Sequence, residues 1–121
     1  MPELDKYENW CFTNPDGCGF AFVKDGKVHI RKGMWDASEF KRRVETECNE
    51  DMAVLLHARI ATAGKVDPGT CHPFPIAKKR EHLRYPSCTC NIAMIHNGIF
   101  SGLGCKKDSD TMQLIMDTLV N

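Results

Sequence analysis

The sequence predicts a single domain of mixed α and β structure. Strand-like and helix-like runs alternate along its 121 residues in the order hairpin, helix, buried strand, loop, buried strand and helix. A hydrophobic fraction of 42% is typical of a folded domain, and the length suits one core better than two. These observations favour an α/β or α+β fold in one domain over residues 1–121.

The hairpin is predicted by an Asp-Gly turn between two apolar segments. Residues 19–24 and 27–31 are the expected strands, and Asp25-Gly26 joins them. The favoured two-residue turn needs positive φ at both central positions, which this dipeptide tolerates. A further turn is expected just before the hairpin, at residues 14–17.

Helices are predicted at both ends of the chain and in its middle. Residues 1–12 are expected to form a short helix or coil, with apolar side chains at helical spacing. Asp36 is the expected cap of a helix over residues 37–48, with Glu39 as its capping-box partner. Ser109 opens the last helix, in which apolar residues repeat at helical spacing.

Two strands and a loop complete the predicted order. Residues 53–57 and 91–96 are continuous apolar runs, which indicate strands buried on both faces. Residues 65–84 are basic and contain three prolines, which predicts a long surface loop.

The bulk composition excludes several classes of function. Sixteen basic and sixteen acidic residues cancel, so no overall field favours nucleic acid. No apolar run reaches the roughly 18 residues that cross a bilayer, and no signal peptide is recognisable. Seven irregularly spaced cysteines then indicate reduced thiols. We expect a cytoplasmic protein with no membrane partner and no cofactor.

Three polar signatures follow strand-like runs or open a helix, and they carry the candidate chemistry. Arg59 offers a rigid fork of donors that matches a carboxylate. Asn97 and Gly98 can point a carboxamide and a backbone amide at one spot, as an oxyanion hole does. Asp110 can hold an ammonium group. Together they suit a zwitterionic amino acid attacked at a carbonyl.

Each signature also has a structural interpretation. Arg59 could form a surface ion pair, since most arginines are exposed. Asn97-Gly98 is a common turn dipeptide. Asp110 could simply interact with the helix dipole.

Taken jointly, the signatures resemble those of class II glutamine amidotransferases, whose glutaminase domains are N-terminal-nucleophile hydrolases. The segments that carry this resemblance are HARIATAG, HPFPI, IHNGI and SDT, in that order. The stretch NPDGCGFAFVKDGKVHIRKG is similar to small stand-alone members, many of them phage-encoded. The resemblance extends from about residue 14 to residue 119.

The resemblance implies an αββα sandwich, in a partial or minimal form, that binds glutamine. Arg59, with Thr62 beside it, would clamp the α-carboxylate, and Asp110 would bind the α-ammonium. Asn97 and Gly98 would stabilise the oxyanion while the side-chain amide is hydrolysed to glutamate and ammonia.

The chain departs from the family at the nucleophile. In the family, a cysteine that begins the mature chain attacks the amide, whereas this sequence begins Met1-Pro2. The strand that bears the nucleophile and the C-terminal strands are expected to be missing. Cys11 is a candidate nucleophile if the ten residues before it are removed, and its alternative is a buried helix residue. Ala63 stands where the family often has histidine. Whether the chain is an enzyme stays open.

A noncatalytic relative, or a fragment, is the alternative function. It would serve as a binding or structural module, for example in a phage-encoded assembly in the host cytoplasm. Exposed strand edges would favour a protein partner or a homo-oligomer.

Two other classes of site, a metal site and a phosphate-binding site, have less support in the sequence. A metal site could use loop residues, but Cys-x-Cys is not the usual zinc spacing, so no metal is expected. The residues concerned are Cys71, His72, His82, Cys88 and Cys90. A basic cluster could contact phosphates, but a solvated loop is favoured and nucleic acid is not expected. That cluster is Lys78, Lys79, Arg80, His82 and Arg84.

Overall fold

The computed structural model describes residues 2–61, 64–97 and 109–120, and in these ranges it contains four α-helices and six strands. The helices are α1 (Leu4–Thr13), α2 (Ala37–Glu47), α3 (Arg80–Leu83) and α4 (Asp110–Leu114). The strands are β1 (Cys18–Lys24), β2 (Lys27–Met34), β3 (Val54–Ala58), β4 (Phe74–Pro75), β5 (Ser87–Cys90) and β6 (Ala93–Met94). A 3₁₀ turn covers Pro68–Thr70, and a π-helical turn, Ile115–Leu119, continues α4. The mixed α+β class predicted from the sequence is confirmed.

The hairpin between β1 and β2 forms where the Asp-Gly turn predicted it. Asp25 and Gly26 have φ angles of 53° and 74°, so both adopt the left-handed conformation that a tight hairpin needs. The two strands pair antiparallel from Lys24 opposite Lys27 outward.

The main sheet is antiparallel and has the strand order β3-β1-β2-β5. Phe20 of β1 lies opposite Leu56 of β3 on one side and Arg31 of β2 on the other. Side chains that lie opposite each other share a face of the sheet, so this register assigns each residue of β3 to one face.

Helices α1 and α2 cover one face of the main sheet and form the first core with it. Tyr7, Phe20 and Phe40 are fully buried there, and the rings of Tyr7 and Phe40 meet edge to face with centroids 5.2 Å apart. Helix α2 begins as predicted, because the Asp36 carboxylate accepts a hydrogen bond of 3.1 Å from the backbone N–H of Glu39.

A two-stranded sheet, β4-β6, belongs to a second core that also includes α3 and the last helical segment. Its fully buried members are Phe74, Leu83, Met112 and Ile115. Lys32 of the main sheet connects the two parts: its ammonium lies 4.0 Å from the centroid of the Phe74 ring and donates to the Leu83 carbonyl at 2.5 Å. Burial lowers the pKa of Lys32 to about 7.

The two strands predicted to be buried on both faces are not buried in that way. Strand β3 pairs only with β1 among the residues that the structure describes, and Leu55 on it is 44% exposed. Within residues 91–96 only the two residues of β6 are strand, and they are half-buried. The apolar runs therefore predicted where strands occur, but they did not predict which faces of each strand are buried.

The predicted surface loop at residues 65–84 is also wrong in its central part. Residues 69–75 are buried and run across the face of the main sheet opposite to α1 and α2. The approach is close, because a Cβ at Gly19 would overlap the carbonyl oxygen of His72. The basic residues of this segment lie outside the buried stretch, at residue 65 before it and at residues 78–84 after it.

Within the described ranges, no helix has both the length and the apolar character needed to cross a bilayer.

The first core should tolerate loss of an exposed phenylalanine but not of a buried one. Phe20→Ala removes a fully buried ring and should lower the free energy of unfolding by about 3–5 kcal/mol. Phe12→Ala is the matched control, since Phe12 is 86% exposed and its loss should change stability by less than about 0.5 kcal/mol. Urea unfolding followed by circular dichroism measures both, and equal effects would contradict this assignment of the core.

Candidate active site

A cavity of about 700 Å³ lies beside β3. Its lining combines apolar side chains with charged and polar ones. The residues are Trp10, Asn14, Phe40, Leu56, His57, Ala58, Arg59, Ile60, His72, His96, Asn97, Ser109, Asp110 and Thr111. Among the described residues, these come from α1, α2, β3, the segments that follow α1, β3 and β6, the buried segment 69–75 and the start of α4.

The structure brings Arg59, Asn97 and Asp110 together around this one cavity. They are distant in the sequence, so their convergence is a property of the fold. The other two residues of the predicted pocket, Thr62 and Gly98, lie outside the described residues.

Arg59 is held in place by its backbone and by its side chain. Its N–H donates to the Gly17 carbonyl at 2.8 Å, while its own carbonyl accepts from Asp16 N–H at 2.9 Å. Its Nη1 donates to the Lys65 carbonyl and to Thr70 Oγ1, both at 2.7 Å. The residue is only 3% exposed, so the surface ion pair considered from the sequence is wrong.

Burial is the main influence on the pKa of the Arg59 guanidinium. It lowers the pKa of the guanidinium, and the negative charges of Asp16, Asp67 and Asp110 act in the opposite direction. Arginine nevertheless stays protonated in proteins. The cavity therefore has a fixed positive charge close to a carboxylate.

Asp110 is buried at the first position of α4. The helix cap is supplied by its neighbour, since Ser109 Oγ accepts from Met112 N–H at 3.2 Å. Asp110 Oδ1 instead accepts from the Thr111 backbone N–H at 2.8 Å and from the Thr111 hydroxyl at 3.4 Å. The carboxylate is thus oriented by local hydrogen bonds at the wall of the cavity.

The carboxamide of Asn97 is oriented by a histidine. His57 Nε2 lies 3.1 Å from Asn97 Oδ1, and because Oδ1 can only accept, the imidazole is the donor. The opposite end of the carboxamide is its NH₂ group, which is the donor that an oxyanion would need.

A group of histidines lies at the cavity, of which the sequence analysis considered only His72, and that only as a metal ligand. The rings of His57 and His72 are stacked with centroids 4.3 Å apart, and His72 Nδ1 accepts from the backbone N–H of His96 at 3.2 Å. An accepting Nδ1 means that neutral His72 carries its proton on Nε2. All three histidines lie at or near strand ends, the same signal that identified Arg59 and Asn97.

The surroundings of His57 and His72 favour the neutral form of both imidazoles. Burial lowers the pKa of His72 to about 2, and the charges of Lys32 and Arg59 act in the same direction. Burial also lowers the pKa of His57. His57 Nδ1 has no hydrogen-bond partner within the part of the chain that the structure describes.

Cys11, the candidate nucleophile, faces another thiol. Its Sγ lies 3.2 Å from Sγ of Cys18, and Cys11 is not among the described residues that line the cavity. Trp10 and Asn14, from the same end of the chain, do line it. Burial and the hydrogen bond with Cys11 raise the pKa of Cys18, which disfavours a thiolate there.

The alternative sites gain no support. Across residues 2–61, 64–97 and 109–120, no three His, Cys, Asp or Glu side chains are grouped so that they could hold a metal ion. Cys88 and Cys90 lie on β5, so their interpretation as loop cysteines is wrong. In the basic cluster, Arg84 lies 3.5 Å from Asp67, an ion pair within the domain.

Comparison with known proteins adds no further constraint: no family model, no curated protein and no solved structure matches this chain.

The buried histidines make stability depend on pH. Folded His72 takes up a proton only near pH 2, whereas an unfolded histidine does so below about pH 6.5. Its contribution is therefore fully present above about pH 6.5 and is lost as pH falls, by up to about 1.4 kcal/mol per pH unit. Urea unfolding at pH 7.5, 6.5 and 5.5 should show this slope.

His72→Asn is the variant that isolates this contribution, because its carboxamide oxygen can still accept from His96 N–H. We expect lower stability at pH 7.5 but a shallower loss between pH 6.5 and 5.5, with the remaining slope due to His57 and other groups. An unchanged slope would show that His72 is not the group responsible.

Proposed function

We propose that this chain is a class II glutamine amidotransferase-like domain whose cavity binds glutamine. The observation that carries the proposal is the placement of Arg59, Asp110 and Asn97 around one cavity. A buried cation and a buried carboxylate on the same wall form an environment that matches a zwitterion.

The positions of the charges support an α-amino acid as the ligand. Its carboxylate and ammonium are attached to the same carbon, so the protein must present opposite charges close together. Arg59 and Asp110 interact electrostatically, as this arrangement requires. The α-carboxylate would bind Arg59, and the α-ammonium would bind Asp110.

The side-chain amide of glutamine accounts for Asn97. Attack on an amide carbonyl places negative charge on its oxygen, and a preorganised NH₂ donor stabilises that charge. The hydrogen bond from His57 fixes which end of the Asn97 carboxamide is the donor. His57 therefore acts as a positioning residue in this proposal.

The order of the layers is compatible with the αββα sandwich that the resemblance implies. Helices α1 and α2 cover the outer face of the main sheet, and Phe74 of β4 packs over Lys32 on the opposite face. The second core then joins β4 and β6 to α3 and α4. That the complete fold is an αββα sandwich is part of the proposal.

The surroundings of Cys11 favour a second candidate, a glutamine-binding module without hydrolysis. Covalent catalysis needs a nucleophile within reach of the carbonyl, and the Cys11 thiol is directed at Cys18. Both candidates use the same pocket and differ only in the chemical step.

Binding should depend on Asp110 through the α-ammonium alone. Asp110→Asn keeps the size of the side chain and removes its charge, so it should weaken L-glutamine binding by at least about tenfold. It should not weaken the binding of glutaramic acid, which lacks the amino group and keeps the carboxylate that binds Arg59. Isothermal titration calorimetry of the wild-type protein and of Asp110→Asn with each ligand gives four dissociation constants, which form a complete cycle.

The outcome of that cycle decides whether Asp110 binds the α-ammonium. A similar loss for both ligands would mean that Asp110 acts on the structure and not on the ammonium. If the wild-type protein does not bind L-glutamine at millimolar concentration, the proposed function fails.

A separate assay distinguishes the enzyme from the binding module. If Cys11 is the nucleophile, glutamate release from glutamine should be lost in Cys11→Ser while glutamine binding persists. A glutamine-analogue electrophile should then label Cys11, as peptide mass spectrometry would show. Binding without release or labelling supports the module, and release that survives in Cys11→Ser excludes Cys11 as the nucleophile.

A further inference from the structure

The cavity is larger than glutamine needs. Even at about 30 Å³ for each of its roughly ten non-hydrogen atoms, which is the volume of one water molecule in the liquid, glutamine would fill only about 300 Å³. The cavity has a volume of about 700 Å³. Even with ordered water around the charged groups, the residues that the structure describes leave a large part of this volume available to another group.

The additional space is bounded by apolar side chains from one face of β3. Leu56 lies opposite Phe20 in the sheet, and both belong to the first core with Phe40. Trp10 packs against the same core from α1. Because Leu56, Phe40 and Trp10 also line the cavity, one part of its wall is apolar.

The polar part of the wall belongs to the other face of β3. Successive side chains on a strand point to opposite faces, so His57 lies on the face away from Leu56. Its stacking on His72 confirms this orientation. The cavity thus includes residues from both faces of β3, with an apolar part beside Trp10, Phe40 and Leu56 and a polar part beside His57 and His72.

We propose that the ligand is a γ-glutamyl amide with an apolar substituent on the amide nitrogen. This inference rests on the proposed function. With the α-carboxylate on Arg59 and the α-ammonium on Asp110, only the amide end of the molecule is left to extend. An aromatic or branched aliphatic group there would occupy the apolar part of the cavity, next to Leu56 and Trp10.

The experiment compares L-glutamine, γ-glutamylanilide and γ-glutamylglycine by isothermal titration calorimetry. Burial of a phenyl ring should make the anilide bind about tenfold to one-hundredfold more tightly than glutamine. The glycine derivative extends the same amide with a charged group and should bind no more tightly than glutamine. Tighter binding of the glycine derivative than of the anilide would overturn the apolar assignment.

Variants on the two faces of β3 test whether the apolar substituent binds next to Leu56. Leu56→Ala should weaken anilide binding by about tenfold and leave glutamine binding unchanged. Leu55→Ala is the matched control, because Leu55 is on the same strand, points to the other face and does not line the cavity. Ile60→Ala provides a second lining variant that should not disturb folding, since Ile60 is exposed, and should weaken only the anilide.

The results separate this inference from the proposed function. If glutamine binds and the anilide binds no more tightly, the inference is overturned and the proposed function stands. Tighter anilide binding that neither Leu56→Ala nor Ile60→Ala reduces would also overturn it. If none of the three ligands binds, the proposed function and the inference fail together.

Discussion

The buried guanidinium of Arg59 is the group on which the candidate site depends. A buried cation is costly unless it is paired and hydrogen-bonded, so the surrounding segments must supply acceptors and negative charge. Lys65 and Thr70 provide the acceptors, and Asp110 contributes charge from the start of α4. The segment at residues 59–70 and the start of α4, which are distant in the sequence, are thereby brought together, and Arg59 and Asp110 line the same cavity.

That arrangement requires the segment at residues 69–75 to lie directly on the main sheet. Gly19 makes the approach possible, because a side chain there would collide with the His72 backbone. Gly33 lies under Pro68, just before this segment, and a Cβ at Gly33 would overlap the proline ring. Its φ of 93° is also one that residues with a side chain rarely adopt. Two glycines on neighbouring strands thus let an apparently polar loop become part of the interior.

The incomplete covering of β3 connects the fold with the proposed ligand. Because β3 has one strand neighbour in the described part of the chain, residues from both of its faces reach the same cavity. One face provides the apolar side chains of the first core, and the other provides the histidines. A ligand that combines a zwitterion with an apolar group matches such a cavity better than a uniformly polar ligand does.

The features that the sequence determined by itself are local. The Asp25-Gly26 turn, the Asp36 cap and the helix start at Ser109 each depend on a few neighbouring residues, and each is where the sequence predicts it. Arg59, Asn97 and Asp110 could be identified for a similar reason, since each stands at a strand end or a helix start, where side chains can converge on a small molecule. Their chemical roles are still predictions.

Only the tertiary structure decided which surfaces are covered and which side chains meet. The burial of residues 69–75, the exposure of Leu55 and the stacking of His57 on His72 all depend on contacts between segments that are far apart in the sequence. Apolar periodicity measures how hydrophobic a strand is, and it carries no information about the number of its neighbours. The position of Cys11 beside Cys18, and the joining of an apolar and a charged wall in one cavity, likewise follow from packing.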